Sequence, residues 1–239
     1  GRRVYVRRIQ IGGNVRTRDE VVRREFRQQE AAWYDAGSIR TSRDRVDRLG
    51  YFNEVDVSTS PVPGSPDQVD VNVDVKENPT GLINLGVGYG STDKVILSAG
   101  ISQDNIFGSG NTLGLSVNTS KRSRALVVAH TDPYWTDDGI SKTTSLFYRR
   151  TEPYDANDSW GDYKIESYGG GLNFGVPITE HDRVFAGVSF EHNKITDFRY
   201  SAPQAYLDFV DEYGEGTNSV IFNLGWSKDT RDSGLAPTR

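Results

Sequence analysis

The sequence predicts an α+β domain of order β-α-α-β-β, followed by the antiparallel strands of a transmembrane β-barrel. Three observations carry this prediction. The hydrophobic period changes near Pro79, where Lys76-Glu-Asn-Pro-Thr-Gly81 runs into Leu82-Ile-Asn-Leu-Gly-Val-Gly-Tyr-Gly90. Beyond that join, strand after strand is apolar on one face only. The chain is also rich in glycine (25) and in Phe, Trp and Tyr (10, 4 and 12), with a mean hydropathy of −0.59. A barrel strand shows only half of its residues to lipid, so low mean hydropathy and a membrane location are compatible.

The first domain reads as five elements. Residues 4–11 form a strand and Gly12-Gly13-Asn14 a turn. Thr17 is placed to cap a helix running through Arg27, with Glu20 at capping-box spacing and Val21, Val22 and Phe26 as its apolar stripe. A second helix spans 35–49, with Ile39, Val46 and Leu49 inward and Gly50 as its stop. Strands follow at 55–60 and 69–76, joined by 61–66. In the last, Val69, Val71, Val73 and Val75 point in, while Asp70, Asn72 and Asp74 point out.

Eight strands are then expected, at 82–90, 95–107, 111–119, 124–135, 143–152, 163–178, 183–196 and 218–228. In the first, Ile83, Leu85, Val87 and Tyr89 alternate with Asn84, Gly86, Gly88 and Gly90. A soluble sandwich with one wet face would alternate too. Two patterns favour lipid. The polar face is rich in Gly, Ser and Asn, and Phe107, Tyr134, Trp135, Tyr148, Phe174 and Trp226 recur toward strand ends, as in interfacial girdles. Connections alternate between short (108–110, 179–182) and long (151–162, 197–217). Residues 202–213 read as a helix inside a long loop.

Composition narrows the function. No apolar run approaches the roughly 18 residues of a membrane helix. The absence of cysteine excludes disulfides, thiolate metal sites and a cysteine nucleophile. Position 1 is not Met and no signal-peptide pattern is present, so an internal piece of a longer precursor is expected. Residues 1–52 carry 13 Arg against 7 Asp and Glu, a net +6 within a chain of net −5. Such a patch suits an acidic partner, nucleic acid or anionic lipid, or is a solvated helical face.

Catalytic patterns are weak. His130, His181 and His192 fall in separate segments with no local nucleophile motif. Gly86-Val-Gly-Tyr-Gly90 lacks the spacing and the following helix of a phosphate loop. Asp155, Asn157, Ser159 and Glu166 match calcium-loop positions, but Trp160 stands where glycine is needed and no helices flank the segment, so a surface loop is expected. No cofactor and no metal are expected, and an enzyme is not.

With this order of elements, several stretches resemble the BamA family of barrel assembly factors of Gram-negative outer membranes. They are Tyr5-Val-Arg-Arg-Ile9, Arg23-Arg-Glu-Phe-Arg-Gln-Gln-Glu-Ala-Ala-Trp33, Asp44-Arg-Val-Asp-Arg-Leu-Gly-Tyr-Phe52, Val62-Pro-Gly-Ser-Pro-Asp-Gln-Val-Asp-Val71 and Gln103-Asp-Asn-Ile-Phe-Gly-Ser-Gly110. The resemblance covers essentially the whole chain. It implies a periplasmic POTRA domain at 1–78, the last of its series, and the N-terminal half of an outer-membrane barrel at 79–239, about eight strands of an expected sixteen. The family's earlier POTRA domains, its later inward loop and its closing strand would lie outside this sequence.

The resemblance further implies the insertion of unfolded outer-membrane clients into the lipid bilayer without covalent chemistry or nucleic acid. The client-pairing edge would be the first barrel strand, Gly81, Leu82, Ile83, Asn84, Leu85, Gly86, Val87, Gly88 and Tyr89, acting as a lateral gate. Its glycines either relieve crowding at a seam or mark an edge that opens and offers unpaired N–H and C=O groups. Arg23, Arg27 and Glu30, at three- to four-residue spacing along the first helix and its end, are either a local salt-bridge row or the contact for a BamD-like lipoprotein, among other lipoproteins of the assembly complex. Alternatives are a two-partner-secretion or transporter-assembly translocator, a small closed eight-stranded barrel acting as receptor or anchor, and a soluble β-sandwich binding module. The closed barrel requires 218–228 to pair with 82–90.

Overall fold

The computed structural model describes residues 3–152, 163–179, 181–196 and 204–229. Contacts divide them into two compact units.

The first unit holds residues 3–80 together with 104–111. Its elements are β1 (Tyr5–Gly12), α1 (Asp19–Arg23), α2 (Ala36–Arg48), β2 (Phe52–Val62) and β3 (Ser65–Glu77). The sheet order is β1-β3-β2, with β1 parallel and β2 antiparallel to β3. Parallel neighbours need a crossover, and the two helices supply it. The valines of β3 drive the packing. Val71, Val73 and Val75 are buried against Val6 and Ile9 of β1, Val21 and Val22 of α1, Val46 of α2 and Phe52 and Val55 of β2. Asp35 caps α2 by accepting from the Gly37 N–H at 2.9 Å, and Gly50 follows that helix at φ +71°.

Two expectations for this unit are corrected. Helix α1 stops at Arg23 instead of Arg27, and Arg18, not Thr17, is its N-cap, with no side-chain cap bond. Past Arg23 the polar side chains have better partners than a helix ladder. Glu25 pairs with Arg45 at 2.8 Å, and Gln28 donates to the Trp33 carbonyl and accepts from the Asp35 N–H. Asp70 is the second correction. It is 7 % exposed, because Arg7 and Arg8 reach over the outer face of β3 and pair with it. The two guanidinium groups shield the carboxylate while their own side chains stay 41 % and 53 % exposed.

The outer edge of β1 is not left bare. Residues 31–34 run along it, with bonds from the Val6 N–H to the Ala32 carbonyl (3.0 Å), from Ala31 to Val6 (2.8 Å) and from Tyr34 to Val4 (2.8 Å). The rings of Tyr5 and Trp33 stack at 3.9 Å over this pairing. Glu30 takes the next donor, the Ile9 N–H, at 2.8 Å.

Residues 104–111 complete the unit as a clip. The Arg18 N–H donates to the Gly108 carbonyl (2.9 Å), Asn105 donates to the Thr17 hydroxyl (2.7 Å), and the Tyr51 hydroxyl donates to the Gly110 carbonyl (3.1 Å). Gly108 is required here: its φ is +72° and a Cβ would sit 1.9 Å from the Arg16 carbonyl oxygen. Phe107, expected near a strand end, instead lies in this turn and is 92 % exposed.

The second unit is one antiparallel meander: β4 (Gly81–Gly90), β5 (Lys94–Gln103), β6 (Thr112–Thr119), β7 (Ser123–Asp132), β8 (Ser141–Thr151), β9 (Lys164–Pro177), β10 (Asp182–Thr196) and β11 (Gly216–Lys228). Helix α3 (Gln204–Tyr213) precedes β11. The spatial order is the chain order, from β4 to β11. Register keeps one face apolar throughout: Leu85 faces Ala99, Ala99 faces Val117, Val117 faces Leu126, and Leu126 faces Tyr148. That face is exposed. Leu85 is 81 %, Val87 80 % and Leu224 82 % accessible. Among the described residues, no helix is long and apolar enough to cross a membrane. A sheet crosses by its strands, and an apolar face of this extent suits lipid.

Candidate functional site: an open strand edge

Strand β4 bonds to β5 on one side, from Gly81 opposite Gln103 to Gly90 opposite Lys94. Its other side carries no ladder among the described residues, because β4 ends the sheet. Leu82, Ile83, Leu85, Val87 and Tyr89 are all more than half exposed. Unpaired N–H and C=O groups along such an edge are a template for another strand, and main-chain pairing asks little of the partner's side chains. Register slips freely where side chains do not lock it, which suits Gly86 and Gly88 in the strand's middle.

On the β5 side the two glycines are not crowded. A Cβ at Gly86 would lie 3.5 Å from the Ser98 Cβ, and one at Gly88 would lie 3.8 Å from the Ile96 Cβ. Both are ordinary contacts. Among the described residues, packing against β5 therefore does not demand glycine at either position, in contrast to Gly169, where a Cβ would fall 2.0 Å from the Phe190 carbonyl oxygen. What the glycines of β4 do supply is backbone freedom and little side-chain adhesion to β5.

Among the described residues, β11 at the opposite end of the sheet is a second edge. It pairs with β10 from Gly216 opposite Lys194 to Lys228 opposite Asp182. Nothing in its pattern separates it from an interior strand; edge status follows from pairing, which sequence period does not encode. The closed eight-stranded reading needed β11 against β4. Among the described residues the two lie at opposite ends of the sheet order and share no bond.

Arg23 and Glu30 come together, while Arg27 is placed apart. Arg23 pairs with Asp19 at 3.2 Å and with Glu30 at 3.1 Å, and it donates to the Ile9 carbonyl at 3.2 Å. The Glu30 carboxyl is held below the usual carboxylate range, chiefly by the Ile9 N–H and further by Arg23. Arg27 lies beyond α1, exposed, and its backbone N–H donates to the Ser42 hydroxyl at 2.7 Å. Spacing alone does not reveal the Glu30 bond to β1, which depends on the path of residues 24–34.

The three histidines stay apart, in β7, in the β9–β10 connection and in β10. Among the described residues no cluster of three or more His, Asp or Glu is placed to hold a metal ion. The calcium-loop pattern lies outside the described residues except at its end, where Glu166 sits in β9 and Arg150 approaches it at 3.9 Å.

Comparison with known proteins places this geometry. Residues 105–239 match the Omp85 superfamily domain, and residues 4–78 match the POTRA family, described as a surface antigen variable number repeat. The chain belongs to the Omp85 superfamily. Among Omp85 relatives, the outer membrane protein assembly factor BamA of Neisseria meningitidis is 40 % identical over the whole chain, which spans 31 % of that protein. BamA of Nitratidesulfovibrio vulgaris is 28 % identical over 99 % of the chain and 28 % of its own length. The chain thus spans about a third of the curated relatives it matches. The crystal structure of BamA from Haemophilus ducreyi lacking POTRA domains 1–3 superposes with a TM-score of 0.79 at 32 % identity, over 99 % of this chain and 46 % of that one. CdiB from Acinetobacter baumannii shares the fold, with a TM-score of 0.60 at 13 % identity over 94 % of this chain and 42 % of that one. A POTRA domain followed by an antiparallel eight-stranded sheet is therefore the fold of an Omp85 protein.

Proposed function

We propose that this Omp85 chain belongs to an outer-membrane β-barrel assembly factor, with residues 1–78 as a periplasmic arm and 79–239 as the N-terminal half of its membrane barrel. The reading rests on identity with proteins named for that role and is supported by the fold: a POTRA domain leads into a sheet whose first strand, β4, pairs among the described residues with β5 alone.

In this reading residues 81–89 form the lateral gate. An unfolded client strand pairs with β4, and its neighbours then add as hairpins. The driving force is the satisfaction of client backbone groups and the burial of apolar surface in the bilayer, where unpaired N–H and C=O groups cost several kcal/mol each. No bond is made or broken covalently, and no nucleotide is needed. The partners are clients, lipid and the other proteins of the assembly complex, with a BamD-like lipoprotein docking at Arg23, Arg27 and Glu30. A two-partner-secretion or transporter-assembly translocator is the alternative, but the relative matched at 40 % identity is named as an assembly factor.

The test is client folding into vesicles. Vesicles containing the full-length protein should fold an added outer-membrane client at least about tenfold faster than empty vesicles, corresponding to a barrier lowered by about 1.4 kcal/mol. Equal rates, or passage of the client into the lumen without insertion, would overturn the assignment.

A further inference from the structure

On the apolar face of the second unit, successive rows run across the strands. One row is Leu126 (β7), Tyr148 (β8), Tyr168 (β9) and His192 (β10), each directly opposite the next. One step toward the end where β8 leaves and β9 returns, the row becomes Arg124, Arg150, Glu166 and Lys194. Aromatic side chains followed by charged ones mark the border between hydrocarbon and headgroups.

Within that charged row, Arg124 and Arg150 are directly opposite one another across the β7–β8 ladder. Like charges at opposed positions repel, and an anion near the pair relieves that repulsion. Among the described residues, carboxylates answer only in part. Arg150 reaches Glu152 at 3.7 Å and Glu166 at 3.9 Å, both at the long end of ion pairing, and Glu152 is shared with Lys164 at 3.8 Å. Among the described residues, Arg124 is exposed and pairs with no carboxylate. Leu126 and Val128 continue the same face below Arg124, and Leu146 and Tyr148 below Arg150. Leu146 is 62 % exposed. An anion bound here therefore sits at the head of an apolar track.

We propose that Arg124 and Arg150 bind the phosphate of a membrane lipid on the long-connection side of the sheet, with the acyl chains lying along Leu126, Val128 and Leu146. Two guanidinium groups present paired donors that match phosphate oxygens, and the phosphate converts a repulsive pair into two charge-assisted contacts. The occupant is a lipid because the track beneath the pair is apolar and two residues wide. The proposal rests on the reading that the sheet spans a bilayer, and the two fail separately. A protein that stays monodisperse in water without detergent would remove the bilayer reading. A protein that folds in micelles but ignores lipid phosphate would remove this proposal alone.

The experiment is native mass spectrometry of the full-length protein released from maltoside micelles containing phosphatidylglycerol, a diacylglycerol without phosphate, or inorganic phosphate. The native protein should retain phosphatidylglycerol and release diacylglycerol. The Arg124→Gln/Arg150→Gln variant should lose phosphatidylglycerol retention about tenfold or more, the equivalent of one charge-assisted contact. Arg149→Gln, one residue away on the opposite face, should retain it fully. In lipid-free micelles Arg124→Gln should melt no lower than the native protein, since it relieves repulsion; only the native protein should gain stability when the lipid is added. Equal retention by the double variant, equal retention of diacylglycerol, or saturation by inorganic phosphate alone would each overturn the lipid site. A lower melting temperature for Arg124→Gln without lipid would do so too.

Discussion

Glu77 shows how one side chain organises the first unit. Its carboxylate, at the end of β3, accepts from the backbone N–H of Arg16 at 2.9 Å and of Thr17 at 2.6 Å. Burial pushes its pKa up, but those N–H donors more than offset this and hold the carboxyl below its usual range. Thr17 in turn receives Asn105, so the carboxylate stands beneath the clip formed by 104–111. A carboxylate whose folded pKa is depressed stabilises the protein above its unfolded value of about 4.3, and that contribution disappears as pH falls through the folded value. Urea midpoints of the native protein should therefore drop below about pH 4.3, and Glu77→Gln should flatten that drop while lowering the midpoint at neutral pH. An unchanged pH profile in the variant would contradict this role.

Glu30 needs a sharper substitution than charge reversal, because it both accepts from the Ile9 N–H and pairs with Arg23. Glu30→Gln keeps an acceptor for β1 and removes only the charge; Glu30→Lys removes both. If the Arg23–Glu30 surface docks a partner lipoprotein through charge, capture of that partner should fall with either variant. Capture that survives Glu30→Gln and fails only with Glu30→Lys would assign Glu30 to holding residues 30–34 on β1.

At the scale of elements, β4 is the strand whose behaviour the account depends on. Alanine fits at Gly86 and Gly88 without a clash. Gly86→Ala/Gly88→Ala should preserve the sheet and add roughly 0.5–1 kcal/mol per site by restricting the unpaired chain. If pliancy of this edge serves client pairing, the same variant should slow client folding into vesicles. Unchanged or faster folding would show that the glycines are incidental.

Strand positions were legible because a period of two survives whatever a strand packs against. β3 and β4 begin and end within a few residues of expectation, with Val71, Val73 and Val75 inward as read. Helix α1 was overextended because Phe26 continues its apolar stripe, while the groups that end it, Arg45 and Ser42, come from α2. The clip was hidden for a related reason. Gly108-Ser-Gly110 announces a turn, but nothing local says that Tyr51, Thr17 and Arg18 will bond to it. The candidate edge was readable as a glycine-rich first strand; the Glu30 contact and the opposed Arg124 and Arg150 became visible only with the register.

At the scale of the whole molecule, the two units divide their labour by chemistry. The first packs a conventional core and pairs its exposed β1 edge with its own chain. The second turns an apolar face outward and, among the described residues, pairs β4 on one side only. The functional reading rests on the relatives named for barrel assembly, together with the place of β4 at the end of the sheet. These 239 residues contain no cysteine, so an introduced thiol is unique among them. Asn84→Cys in the middle of β4 should form a disulfide with a client carrying one cysteine in its terminal strand, when assembly is arrested midway and oxidant is added. Disulfides need Cα atoms within roughly 7 Å, so only strand-paired positions qualify. The account predicts crosslinks that follow one register in the client and are absent for Leu146→Cys in the interior strand β8. Crosslinking that is equal at both positions, or absent at Asn84→Cys while assembly proceeds, would contradict it.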